Sequence, residues 1–141
     1  MKKFDFSMQK ILNLREFQEE QAKIELGKAL SETNRIQSEL EQIAVERVRI
    51  VQLCSETSVD QLIINERYIK RLDISRDRLL EELAAAELVV QEKRGIFAEA
   101  MKNRKVLTNL KEKKFKVYKK DAQLADDNVL DDIATSRFTK E

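Results

Sequence analysis

The chain has 141 residues, a net charge of +1 and a charged fraction of 38%, with no Pro, Trp or His and only two Gly. So little Pro and Gly excludes a loop-rich globular fold and makes long helices the default. The near-neutral charge argues against bulk attraction to nucleic acid or anionic lipid. A single Cys excludes an intramolecular disulfide framework and fits a reducing compartment.

Apolar residues spaced three and four apart run through the first part of the chain. The stripe extends from Met8 to Cys54, and ten of its 14 positions are apolar. Only another helix covers so narrow a stripe. The pattern predicts a first helix over about residues 7–55. Cys54 lies on this stripe, which would form the seam with a partner helix, and is interpreted as a small buried hydrophobic residue.

A hydroxyl-rich segment, Ser55-Glu-Thr-Ser-Val-Asp60, interrupts the pattern. Such side chains compete for backbone hydrogen bonds, so they favour a turn at about residues 55–59. Ser58 and Gln61 have the spacing of a capping box, which predicts a second helix from about residue 59. The 3-4 stripe then resumes, and this helix extends to about residue 120 or beyond.

Two long helices joined by a short turn are antiparallel neighbours. We therefore predict an all-α fold, a long antiparallel two-helix coiled-coil hairpin forming a single coiled-coil domain over residues 1–141. Folding back near residue 58 would pair position i with roughly position 116 minus i.

The end of the hairpin where the two termini meet has a poorer seam. We expect it to be less tightly closed than the middle and more available to a partner, because five charged residues interrupt the stripe there: Arg15, Glu19, Arg104, Lys111 and Lys114.

Charge is strongly segregated near the C-terminus. Residues 101–120, here called the basic segment, contain nine Lys or Arg against one Glu, whereas residues 121–141 have a balance of −4. The later residues also form an apolar stripe that nothing else in the chain remains to cover. Three interpretations stay open for the basic segment: a solvated helix with a compensating tail, a docking surface for an acidic or carbonyl-lined protein, and a nucleic-acid contact.

The sequence lacks the residues that enzymes of common classes use. It has no His for acid–base chemistry, no Gly-rich phosphate loop and no Cys/His set with metal spacing. A two-helix fold also offers no enclosed pocket. We therefore expect no enzymatic activity, no catalytic residues, no cofactor and no metal.

The N-terminal motif Phe4-Asp-Phe6, followed by Met8-Gln-Lys-Ile-Leu12-Asn-Leu14-Arg15-Glu16, resembles the flagellar export protein FliJ family. The stretch from Lys102 to Lys113, with Tyr118 and Leu130-Asp-Asp-Ile-Ala134, is similar to the end of that family. Asp132 stands where Glu is usual. The resemblance covers the whole chain in length and layout.

This resemblance implies a non-enzymatic central-stalk and adaptor protein of the flagellar type III export apparatus. Its implied partners are the hexameric export ATPase, a membrane export-gate protein and export chaperones. The implied ATPase contacts are, with Lys119 added from the basic segment, Arg15, Glu16, Lys105, Lys111, Lys113, Lys119 and Asp132. The implied export-gate contacts are Tyr68, Ile69, Leu72, Ser75 and Leu79, of which Ser75 and Leu79 depart from the family's usual residues.

No run of residues is long and apolar enough to span a bilayer. We expect a cytoplasmic protein that is monomeric when free, binds no nucleic acid and associates peripherally with the export apparatus at the inner membrane. Two alternatives remain: the equivalent stalk of a virulence type III secretion system, and a homodimeric structural coiled-coil scaffold.

Overall fold

The computed structural model describes residues 2–53 and 58–139. Helix α1 spans Gln9–Leu53 and has 45 residues, and helix α2 spans Val59–Thr139 and has 81 residues. All regular secondary structure within the described ranges is helical. Most of the predicted turn, together with Cys54, lies outside the described residues.

Ser58 caps the start of α2. Its Oγ accepts a hydrogen bond from the backbone N–H of Gln61 at 3.4 Å. The reciprocal half of the capping box is absent, because the Gln61 side chain donates to Asn65 Oδ1 at 3.1 Å instead. One orphan donor of the first turn is therefore satisfied by the cap.

The chain divides into two compact units, each containing a piece of both helices. In the unit formed by residues 21–98, residues 39–46 of α1 lie beside residues 72–79 of α2, and residues 46–53 lie beside residues 61–71. The two helix segments are therefore antiparallel.

The other unit comprises residues 1–20 and 99–141. Here Glu19 contacts Arg104, and Phe4 contacts Phe115 and Tyr118. The earlier residue, Phe4, contacts later positions of α2 than Glu19 does, so the two segments run in opposite directions here as well. The predicted fold class, an all-α antiparallel two-helix coiled-coil hairpin, is confirmed.

The 3-4 stripes are the faces by which the helices contact each other. Of the 13 described stripe positions between residues 8 and 50, only Arg47 is exposed, and of the 14 between residues 62 and 107, only Leu62 and Arg76 are. The side chains of Ile36 and Leu79 are 2% and 3% exposed. Burial of such apolar surface stabilises the pair by about 25 cal/mol per Å².

Several polar residues of the stripe form hydrogen bonds or ion pairs. The Thr33 hydroxyl donates to the Ala29 carbonyl at 3.1 Å. Asp73 accepts from Arg47 Nε at 3.0 Å and lies 3.5 Å from Arg76 Nη1. The two arginines that interrupt the stripe in this unit thus share one carboxylate across the helix pair.

The predicted residue pairing is displaced along the helices. Folding back at residue 58 would place Ile69 opposite Arg47 and Phe97 opposite Glu19, whereas their ion-pair partners are Asp73 and Arg104. The offsets are about one and two helical turns, which return to nearly the same face of α2. The apolar pattern therefore selects the correct face, but it does not fix the axial position.

Candidate partner-binding surfaces

The N-terminal segment before α1 is held against α2 by an aromatic cluster of Phe4, Phe115 and Tyr118. The Phe4 ring centroid lies 5.2 Å from that of Phe115, edge to face, and 5.4 Å from that of Tyr118. The Tyr118 hydroxyl donates to the Lys2 carbonyl at 2.7 Å. Phe6, at 4% exposure, is buried beside the start of α1, where its carbonyl accepts from the Gln9 N–H at 3.0 Å.

Most lysines of the basic segment that the sequence proposes as ATPase contacts are on the surface. Lys105, Lys113 and Lys119 are exposed and Lys111 is half-buried. The Lys119 ammonium lies 5.1 Å from the centre of the Phe115 ring, a cation–π contact with the aromatic cluster. Within the described part of the chain, the other three lysines form no ion pair. Their charge is therefore available to an external partner.

Glu19 and Arg104 form an ion pair across the seam in the same unit. Arg104 Nε and Nη2 donate to the two carboxylate oxygens of Glu19 at 2.5 and 3.3 Å. The side chains are only 24% and 20% exposed. Hydrogen bonding to Glu19, and then its charge, raises the pKa of Arg104. Two of the five charged residues expected to weaken the seam at this end therefore form an ion pair that connects the two helices.

The other proposed ATPase contacts in this unit differ in exposure. Arg15 is half-buried and donates to Gln18 Oε1 at 3.2 Å. Glu16 is exposed on α1, and its charge adds to the raised pKa of Arg104. Asp132 is exposed on the last part of α2, beyond the basic segment.

The proposed export-gate contacts lie along α2 in the unit of residues 21–98, and only one of them is well exposed. Tyr68 is 40% exposed, whereas Ile69, Leu72 and Ser75 are half-buried and Leu79 is buried in the seam. An accessible aromatic side chain is the type of residue that anchors protein interfaces. Tyr68 is therefore the strongest contact candidate of the five.

Charged side chains hold Tyr68 at the edge of a groove between the helices. Its hydroxyl donates to Glu46 Oε1 at 3.4 Å, and the same oxygen accepts from Arg49 Nη2 at 2.5 Å. Hydrogen bonding to Arg49 lowers the pKa of Glu46, and the Tyr68 hydroxyl contributes in the same direction. The groove walls combine apolar and basic side chains: Ile50, Leu53, Ile64, Arg67 and Arg71.

Neither described helix contains a stretch with the length and apolarity needed to cross a bilayer. Across residues 2–53 and 58–139 there is also no group of three or more potential metal-ligating side chains.

A family model described as flagellar FliJ protein matches residues 4–141. The chain belongs to the flagellar FliJ family. Comparisons with curated proteins and with solved structures returned no match. Membership makes the chain a protein associated with flagellar export, a form of type III secretion, in a family of structural and adaptor proteins.

No sequence pattern identifies the aromatic cluster as a unit. Phe4 and Tyr118 both carry the resemblance to the FliJ family, but they are 114 residues apart and the N-terminal segment has no helical period that would orient Phe4. The one indication in the sequence is Tyr118. Continued beyond Leu107, the 3-4 spacing passes through Lys111 and Lys114 and then reaches Tyr118, which places this aromatic residue on the seam face.

We expect Glu19→Ala to lower the free energy of unfolding by about 1–2 kcal/mol, because it leaves the partly buried Arg104 guanidinium without its bidentate acceptor. Chemical denaturation followed by circular dichroism measures this change. Glu25→Ala is the matched control, since its pair with Lys28 is mostly exposed, and it should cost no more than about 0.5 kcal/mol. Equal effects of the two substitutions would refute a structural role for the Glu19–Arg104 pair.

Proposed function

We propose that this chain is the central-stalk and adaptor protein of the flagellar type III export apparatus. In this role one unit, residues 1–20 and 99–141, inserts into the hexameric export ATPase and stimulates it, and the chain itself catalyses nothing. The observation that carries the proposal is a surface of exposed, unpaired lysines on a unit that joins the two ends of the chain, in a member of the FliJ family.

The proposed mechanism is mechanical and allosteric. A single helix pair inside a sixfold ring contacts the six subunits unequally, so it favours different conformations in different subunits. Lys105, Lys113 and Lys119 supply charge that would bind acidic side chains or backbone carbonyl groups of the ring. The Glu19–Arg104 pair and the aromatic cluster support this role by holding both helices and the N-terminal segment together.

The proposal gives the chain two further partners. The groove edge at Tyr68, with Ile69, Leu72 and Ser75 beside it, would contact the membrane export-gate protein. Leu79 is omitted from this contact because its side chain is buried. Export chaperones would be escorted between the ATPase and the gate, with the chain acting on the cytoplasmic side of the inner membrane.

Reversing the charges of Lys111, Lys113 and Lys119 to Glu is expected to raise the concentration of this protein needed for half-maximal ATPase stimulation by about tenfold. Three interface charges at 0.2–1 kcal/mol each account for an effect of that size. A steady-state phosphate-release assay with the cognate ATPase measures it. Triple reversal of Lys23, Lys28 and Lys70, exposed lysines of the other unit, is the matched control. Unchanged stimulation by the first variant would remove the basic segment from the mechanism.

For the export-gate contact, Tyr68→Ala should weaken binding of the purified gate protein by about tenfold, because it removes an exposed aromatic anchor. Tyr68→Phe, which loses only the hydroxyl bond to Glu46, should retain most of the affinity. Calorimetry measures both variants, and ATPase stimulation should be unchanged in each. Full binding by Tyr68→Ala would exclude this residue from the gate contact without affecting the ATPase proposal.

A further inference from the structure

A second 3-4 stripe runs along the outer face of α2, separate from the seam with α1. Its spacing alternates four and three without interruption over residues 106–138, and six of its ten positions are apolar. The positions are Val106, Leu110, Lys113, Val117, Lys120, Leu124, Asp127, Asp131, Ala134 and Phe138. A sustained 3-4 stripe is the pattern by which one helix contacts another.

This outer stripe is largely uncovered. Val106, Val117 and Leu124 are 61%, 59% and 59% exposed, and Phe138 is 85% exposed. Leu107 and Tyr118, which contact α1 or the N-terminal segment, are centred on a different face of the helix, and the stripe residue nearest to that face, Leu110, is half-buried. Every other position of the stripe is exposed.

The stripe is symmetric in spacing, and its charged residues are segregated by sign. Its spacing is identical from either end, about a midpoint between Lys120 and Leu124. Its charged residues are both Lys before that midpoint and both Asp after it. A second copy of the same stripe, running in the opposite direction, would therefore meet it position for position. Lys113 would face Asp131, whereas Lys120 would face Leu124 and Asp127 would face Val117.

We propose that the outer stripe of α2 binds the same stripe of a second copy of this chain, forming an antiparallel dimer with a two-fold axis between Lys120 and Leu124. Lys113 then faces Asp131 of the second copy, Val106 faces Phe138, and Leu110 faces Ala134. Val117 faces Asp127 of the second copy, and Lys120 faces its Leu124 next to the axis.

Charge selects this antiparallel arrangement over a parallel one. In register and parallel, Lys113 would face Lys113 and Asp131 would face Asp131, which is destabilising. The whole basic segment and the acidic residues that follow it add to the same preference. An antiparallel two-fold contact is also closed, so association stops at two copies.

The dimer goes beyond the proposed stalk function and does not depend on it. It covers Lys113 and Lys120, so this surface would be withheld from any other partner while two copies are associated. A partner that binds the basic segment would then shift the population from dimer to monomer by mass action.

Sedimentation equilibrium of the full chain, over roughly a hundredfold range of concentration reaching about 1 mM, measures the dimer. The two-fold axis repeats the contact between residues 113 and 131, so the dimer contains it twice. Lys113→Asp and Asp131→Lys each place like charges opposite one another in both contacts, and each should raise the dissociation constant by about tenfold. The double variant, Lys113→Asp with Asp131→Lys, restores opposite charges and should recover the wild-type constant. Added salt should weaken the wild-type dimer.

Lys105→Asp is the matched control, since it makes the same charge change at an exposed position off the stripe; its effect should be the smaller. Circular dichroism verifies that every variant is folded. Failure of the double variant to recover the dimer, or a wild-type chain that stays monomeric at the highest concentration, would overturn the proposal. Either result leaves the ATPase assay of the stalk function unaffected.

Discussion

The seam between α1 and α2 holds both helices, because a pair of helices has no other interior in which apolar side chains can be buried. Each helix contributes a single narrow stripe, in which residues such as Ile36 and Leu79 are almost fully covered. The remaining surface stays in contact with solvent. The seam therefore determines which residues the outer faces present.

Polar and aromatic contacts connect the helices where charged residues interrupt the apolar stripe. In the unit of residues 1–20 and 99–141, the Glu19–Arg104 pair and the cluster of Phe4, Phe115 and Tyr118 connect segments far apart in sequence. These contacts use the inner face of α2 and one flank. Lys105 and Lys113 therefore stay exposed on a helix held by these contacts, which suits the proposed role of this surface in binding a partner without refolding.

The sequence predicts the fold class and the contacting faces because helical periodicity is a local property of each segment. Leu12, Ile36 and Val90 all lie at expected seam positions and are buried. It does not predict that Glu19 pairs with Arg104, because axial position depends on a turn whose length periodicity does not report. The aromatic cluster is not predicted either, because Phe4 lies outside any helix and helical periodicity does not position it. Only the resemblance implies that Leu79 is a contact residue, whereas its own position on the seam indicates burial.

A distance measurement between spin labels tests most directly whether the seam closes within one chain. Labels at Lys28 and Glu92, exposed positions of the unit of residues 21–98, would be attached through Cys in a Cys54→Ser background and measured by pulsed EPR. The antiparallel pairing predicts a narrow distribution near about 20 Å, unchanged when labelled protein is refolded with excess unlabelled chain. Loss of the short distance on that dilution would mean that the seam joins two chains, contradicting the hairpin.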